Sequence, residues 1–375
     1  ELRPLLNMPD DDAWILIKAW LTYALYPNQP QPILVVNGEQ GSAKSTLCEF
    51  LRDLIDPNKA MLRSLPKEER DIAISAKNGR VLAFDNLSGL PPALADALCR
   101  VSTGAGLATR KLYADDDEEI FAGTRPIIIN GIDDLITRSD LADRAIVVNL
   151  PAIPEEKRQP MEALQRQFVQ LRARLLGAIL DALAAALKNL PNVQLQSLPR
   201  MADFARFAIA AEVALNIPPD GFLPAYRKNR QEADELALEA SAIGTHILRL
   251  MQEFYYHEHH VTAGELLKQL EELAGGTEQA RKIPGWPKTP RKLRSDLNRI
   301  APNLRKLGIE FIPGGKGERG RELILRKRAE TQSIPPVSSA RASLKGTLPD
   351  GTDDTDGLSG TLRECGEADF WGGSL

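Results

Sequence analysis

Residues 32–55 pass from one apolar pattern into another of different period, with a glycine-bearing loop between them. Pro32-Ile33-Leu34-Val35-Val36-Asn37 is continuous and rich in β-branched residues, as a buried strand is. Thr46-Leu47-Cys48-Glu49-Phe50-Leu51-Arg52-Asp53-Leu54-Ile55 carries its apolar residues at helical spacing. The joint is Gly38-Glu39-Gln40-Gly41-Ser42-Ala43-Lys44-Ser45. A strand, such a loop and a helix form the unit in which backbone N–H groups and a helix N-terminus hold a triphosphate. In that arrangement Lys44 reaches the β- and γ-phosphates, and the Ser45 hydroxyl ligates Mg²⁺. The expected nucleotide-binding set is Gly38, Glu39, Gln40, Gly41, Ser42, Ala43, Lys44, Ser45 and Thr46, with ATP and Mg²⁺ as cofactors. One position departs from the phosphate-loop pattern: Ala43 stands where Gly precedes the Lys.

The 375 residues suffice for two or three domains. The net charge of −4 says little, but its distribution says more. From Arg281 to Arg328 there are 15 Lys or Arg against 4 Asp or Glu; from Ala329 to Leu375 there are 3 against 8. A basic segment within a mildly acidic chain points to a polyanionic partner, usually nucleic acid. Cys48, Cys99 and Cys365 are widely spaced, which argues against a disulfide framework or a zinc knuckle and fits a reducing cytosol. No signal peptide is evident, and no apolar run approaches the roughly 20 residues of a membrane span. The expected location is the bacterial cytosol, or the host cytosol if the chain is phage-encoded, with no membrane partner. The chain opens on Glu1 rather than Met, as a piece of a longer protein would.

Five segments follow from the patterning. Residues 1–30 form an N-terminal helical segment, with a helix over Asp11–Tyr26. Residues 31–154 alternate strands with helical or loop stretches, the α/β signature, with strand candidates at Ile33–Asn37, Val81–Asp85, Pro126–Asn130 and Ala145–Leu150. Residues 155–250 read as all-helical: Met161–Leu190, broken near Leu176-Gly177, then Pro199–Leu215 and Pro224–Leu250. Residues 251–328 give a helix from Val261 to Leu273 and a second over Thr289–Leu307, interrupted at Pro302. Two alternating strands then flank a Gly-rich basic turn, the pattern of a winged-helix DNA-binding module. Residues 329–375 have the composition of a disordered tail.

An NTPase needs further groups around its phosphate loop. Arg80-Val81-Leu82-Ala83-Phe84-Asp85-Asn86 ends an apolar strand on Asp85, a carboxylate able to position Mg²⁺; the next place, where many such enzymes carry a second acid, holds Asn86. The general base is therefore left open. Arg125-Pro126-Ile127-Ile128-Ile129-Asn130-Gly131 puts Asn130 at a strand tip, as a γ-phosphate sensor. Arg144, just before the last strand, is the candidate cation supplied to a neighbouring subunit's site, with Arg138 as its substitute. The expected catalytic set is Lys44, Asp85, Asn130 and Arg144, and the metal ligands are Ser45 and Asp85. Between the second and third elements, 108–121 reads as a hairpin that presents Arg110 and Lys111 either to a DNA backbone or merely to solvent. In the basic module, Lys288, Arg291, Lys292 and Arg294 on or beside one helix, with Lys316 and Arg319 in the turn, form the expected DNA-binding set. His257-Glu258-His259-His260 lacks converging partners and reads as a polar connection rather than a metal site.

Taken together, Gly38–Ser45, Asp85-Asn86, Arg110-Lys111-Leu112-Tyr113, Asn130-Gly131 and Asp140–Arg144 resemble superfamily 3 helicases. More narrowly they resemble the poxvirus and phage primase-helicase ATPases and related ATP-binding proteins of bacterial mobile elements. The resemblance covers roughly Asp11 to Leu150 and extends more loosely through the helical block to the basic module. It implies an AAA+-type P-loop core and a homo-hexameric ring moving 3′-to-5′ on single-stranded or forked DNA. A primase, as a domain or a partner, belongs to such systems. The function expected is an ATP-dependent DNA helicase or translocase of a phage or mobile-element replication system, hydrolysing ATP at subunit interfaces. The alternative is an ATP-binding replication initiator or switch with little hydrolysis, motivated by Ala43 and Asn86. A small-molecule P-loop kinase is weaker, because it gives no reason for the basic module.

Overall fold

The computed structural model describes residues 1–110, 118–132, 135–136, 138–254, 257–317 and 320–328. The expectation for 329–375 falls outside these. The elements in order are α1 (Asp11–Tyr23), β1 (Ile33–Gly38), α2 (Lys44–Ile55), α3 (Glu69–Asn78), β2 (Leu82–Leu87), α4 (Pro92–Thr103), β3 (Leu107–Arg110), β4 (Glu118–Phe121), β5 (Ile127–Gly131), α5 (Ser139–Ala142) and β6 (Ala145–Leu150). There follow α6 (Met161–Asn189), α7 (Ala202–Ala211), α8 (Phe222–Glu239), α9 (Gly244–Glu253), β7 (Glu258–Thr262), α10 (Ala263–Leu273), α11 (Thr277–Lys282), α12 (Pro290–Lys306), β8 (Ile309–Gly317) and β9 (Gly320–Lys327).

Four apolar strands make a parallel sheet in the order β2-β5-β1-β6, each strand near its expected place. Ile33, Leu34, Val35, Ile127, Ile128, Ile129 and Ile146 are fully buried, which is why these strands lack an apolar–polar alternation. The order is informative. β5, though later in sequence, inserts between β1 and β2, so the ends of β1, β5 and β2 stand side by side. On the other flank β6 is an edge strand closed by a side chain. Asn229 of α8 donates to Val147 O at 2.6 Å and accepts from Val147 N–H at 3.0 Å.

One apolar cluster joins α1, one face of the sheet, α2, α6, α7 and the start of α8. Trp20 Nε1 of α1 donates to Pro32 O at 2.8 Å, and Phe50 of α2 stacks on Phe168 of α6 with ring centroids 4.2 Å apart. The other face of the sheet packs with α3, α4 and part of α8. The expected break at Leu176-Gly177 is not found: α6 runs unbroken over Met161–Asn189. A helical Gly costs about 1 kcal/mol, whereas each large side chain buried on this helix, such as Phe168 or Ile179, returns about 1.5–3 kcal/mol. Packing wins.

The basic segment holds a third cluster, in which α9–α12 pack with an antiparallel sheet of order β7-β9-β8. Two expectations change here. Glu258–Thr262, expected as part of a polar connection over 257–260 followed by a helix starting at Val261, is strand β7. It pairs with β9 along its whole length, and His259 turns inward, 6% exposed, to share a 2.8 Å hydrogen bond with Gln269 Oε1. Thr262 and Glu265 then form a reciprocal capping box that starts α10. Nor does Pro302 interrupt the second helix, since α12 continues to Lys306. Pro302 faces solvent, where water can satisfy the carbonyl its missing N–H leaves free, while Leu297, Ile300 and Leu304 are buried on the opposite side.

Candidate nucleotide site

Asn37, Asp85 and Asn130 stand at the carboxyl ends of adjacent parallel strands, the place where α/β sheets receive ligands. The loop leaving β1 is held by backbone geometry. At Gly38 (φ +153) a Cβ would lie 2.6 Å from Leu150 O and 2.7 Å from Ser42 Oγ, so only glycine fits. Ser42 is fully buried, with Oγ donating to Glu39 O at 2.9 Å. Asn7, upstream of α1, braces the loop from outside: Nδ2 donates to Ser42 O at 3.1 Å and to Pro151 O at 2.7 Å. Ala43 caps α2 with φ 63 and ψ 31 and no side-chain hydrogen bond. The departure from the glycine pattern therefore falls on a left-handed residue, where Cβ clashes with the backbone. The first N–H groups of α2 point out of an uncapped N-terminus, which suits an anion.

Lys44 folds back over the loop, donating to Gly38 O at 2.7 Å and Glu39 O at 2.8 Å. Burial lowers its pKa, against the pull of nearby Asp85. One residue on, Ser45 Oγ donates to Asp85 Oδ1 at 3.0 Å, which ties α2 to β2 across the sheet. Asn130, fully buried on the intervening β5, accepts the Asn86 N–H at 3.0 Å and donates to Cys48 Sγ at 3.4 Å. Burial pushes the Cys48 thiol up to about 12, so it stays protonated. Glu49, one turn beyond Ser45, is also raised, first by burial and then by Asp85.

Asn86 has φ 56, and the β2–β5 register shifts between Phe84 and Leu87. The place where a second acid was sought is thus a left-handed bulge, a conformation Asn adopts more readily than other non-glycine residues.

The structure therefore brings Lys44, Ser45, Asp85 and Asn130 together. Among the described residues, the remaining candidates stand apart from that group. Arg144 is half-buried, with Nη1 donating to Asp140 O at 2.8 Å. Its substitute, Arg138, is engaged by Asp96 at 2.8 Å and Asp140 at 2.9 Å. Arg110 ends β3 of the expected hairpin, whereas Lys111 lies outside the described residues. In the basic module, Lys288 and Arg291 are exposed and Arg294 is half-buried. Lys292 pairs with the buried Asp296 at 2.9 Å, as does Arg299 at 3.3 Å. Lys316 lies in β8, and Arg319 is outside the described residues. Among the described residues, no three His, Cys, Asp or Glu converge as a metal cluster. None of their helices is long and apolar enough to cross a membrane. Asn7 and Glu49 were missed by sequence reasoning, because neither belongs to a spaced motif.

The class defined by these features is a parallel α/β sheet protein with a glycine-bearing loop and a carboxylate at the carboxyl ends of its strands. Residues 1–235 match the family of actinomycete integrative conjugative element replication proteins, and residues 243–340 match the C-terminal domain of the same RepA proteins. The chain belongs to that family, and so is a replication protein of a mobile element. No curated protein matches it. Among solved structures, the apo C-terminal region of NrS-1 is similar over 87% of this chain and 74% of that one, at 12% identity and a TM-score of 0.38. A JCV helicase is similar over 60% of this chain and 66% of that one, at 14% identity and a TM-score of 0.27.

Proposed function

We propose that the protein is a Mg·ATP-dependent motor ATPase acting on single-stranded or forked DNA in the replication of its element, as a homo-hexameric ring. The observation that carries this reading is the Ser45–Asp85 hydrogen bond between α2 and β2, with Asn130 alongside at the end of β5, the strand between β1 and β2. It supports a phosphate loop, a metal carboxylate and a γ-phosphate sensor built into one site. Ser45 Oγ and Asp85 Oδ1 are hard oxygen donors 3.0 Å apart, which suits Mg²⁺ completed by phosphate and water. Bound there, the ion would neutralise charge developing on the phosphates. On binding, Lys44 would exchange its two loop carbonyls for phosphate oxygens. Asn130 would orient the attacking water, and Arg144 would serve the neighbouring subunit's site.

The sequence of β7, α10, α11, α12, β8 and β9 supports a winged-helix reading of the basic module. There Lys288, Arg291, Lys292, Arg294, Lys316 and Arg319 would hold phosphates, while Arg110 and Lys111 of the hairpin would touch DNA within the ring. The test is ATP turnover with and without single-stranded DNA, and unwinding of a fork, for wild type and Lys44→Ala. Turnover stimulated by single-stranded DNA and lost in Lys44→Ala is expected; no stimulation by any nucleic acid would overturn the motor. One observation favours the alternative of an ATP-bound initiator or switch, namely the left-handed Asn86 in place of a second acid. That reading expects ATP-dependent assembly on duplex DNA without strand separation.

A further inference from the structure

The segment after β6 wraps the glycine loop. Leu150 pairs with Gly38, Pro151 O is bridged to Ser42 O through Asn7, and Pro151, Pro154 and Pro160 stiffen the path. A helical turn at Glu155–Lys157 then delivers Arg158, whose N–H bonds Glu155 O at 3.2 Å. Its guanidinium is steered by one hydrogen bond, Nε to Ile153 O at 3.2 Å. Among the described residues, the outer edge of the fork makes no hydrogen bond. Nη1 comes no closer than 3.7 Å to the exposed Glu155 carboxylate, and Nη2 lies 3.7 Å from where a Cβ on Gly41 would sit. Gly41, left-handed at φ +83, presents bare backbone to the cation. An ion pair between two exposed groups at that distance contributes little, so the pair with Glu155 does not account for a guanidinium held over the loop.

We infer that Arg158 is a second phosphate-binding cation of the nucleotide site, acting within its own subunit. This rests on the phosphate-loop reading above. The planar fork of a guanidinium matches phosphate oxygens in two-point contact. Lys44 approaches the loop from its inner side by way of Gly38 and Glu39, whereas Arg158 approaches at Gly41, so the two cations would flank the phosphate chain. No spacing rule marks this residue in the sequence. It comes to the loop only because β6 pairs with β1 and the chain turns back.

The test is calorimetric titration of the full chain with Mg·ATP and Mg·ADP, for wild type, Arg158→Ala, Arg158→Lys and Lys44→Ala, with thermal unfolding of each free protein. Arg158→Ala is expected to weaken Mg·ATP about tenfold without shifting unfolding of the free protein, and Arg158→Lys to recover part of the loss. Equal Mg·ATP affinity of wild type and Arg158→Ala would overturn the assignment while leaving the phosphate loop intact. A free Arg158→Ala protein that melts well below wild type would mark a structural brace instead, and would also overturn it. Folded wild type that binds no nucleotide would remove the loop reading itself, and this inference with it.

Discussion

Lys306 Nζ lies 2.7 Å from Asp143 Oδ1, joining the last helix of the basic module to the turn that precedes β6. The same ammonium reaches Asp234 Oδ2 at 2.8 Å, and Asn303 Nδ2 donates to Asp234 Oδ1 at 3.1 Å. Arg230 Nη2 completes the knot at 2.6 Å from Asp143. Asp234 is only 3% exposed, so its charge depends on these partners. Lys306→Met would leave it with Asn303 and an Arg230 at 3.8 Å. Because Lys306 itself is 43% exposed, the expected loss is at the low end for a buried pair, about 1–3 kcal/mol. Urea unfolding would measure it, and Asp234→Asn in the Lys306→Met background should recover part. An unchanged midpoint in the single variant would show that the knot holds nothing.

The left-handed Ala43 predicts opposite signs for two substitutions. A non-glycine residue in this conformation costs about 1–2 kcal/mol, and the added freedom of unfolded glycine returns roughly 0.4–1 kcal/mol of that. Ala43→Gly should therefore stabilise the protein by up to about 1.6 kcal/mol, whereas Ala43→Val should destabilise it by about 1–3 kcal/mol through a strained β-branched residue. Thermal unfolding of the two variants checks the ordering. If Ala43→Gly proves the less stable of the pair, the loop is not left-handed in solution.

Gly177 sits in mid-helix, exposed, with open space around a Cβ. Gly177→Ala is expected to raise stability by about 0.5–1 kcal/mol with no effect on nucleotide binding. A drop in stability would mean that the helix bends there after all.

A pH dependence follows from Asp140. Burial raises its pKa, but hydrogen bonds and charge from Arg138 outweigh that effect and hold the carboxyl below its ordinary value of 3.8. A lowered folded pKa adds stability above the unfolded pKa, and that stability disappears as pH falls through the folded value. Asp140→Asn should thus melt below wild type at pH of about 7, and the two curves should converge below a pH of roughly 4. A constant difference across that range would mean that the pair contributes through shape rather than charge.

The parallel strands were legible because full burial on both faces writes itself as runs such as Ile127-Ile128-Ile129. That Lys44, Ser45, Asp85 and Asn130 come together was legible because each sits at a fixed step from a strand end. Residues whose place depends on another part of the chain were not. Asn7 lies upstream of α1 and Arg158 beyond β6, and each meets the loop only through tertiary packing. Strand β7 was hidden because its outward residues, Glu258 and His260, are as polar as a loop's, while only His259 and Val261 turn inward. Gly177 and Pro302 misled for the reverse reason: local propensity opposed a helix that burial on the far side secured.

The grip of Asn229 on Val147 has a consequence for assembly. With both backbone groups of that residue engaged from α8, the β6 border of the parallel sheet is sealed against strand addition at its middle. Subunits that come together cannot pair strands across that border at Val147. The Val147 amide, though at the rim of the sheet, should exchange its hydrogen as slowly as one in the interior.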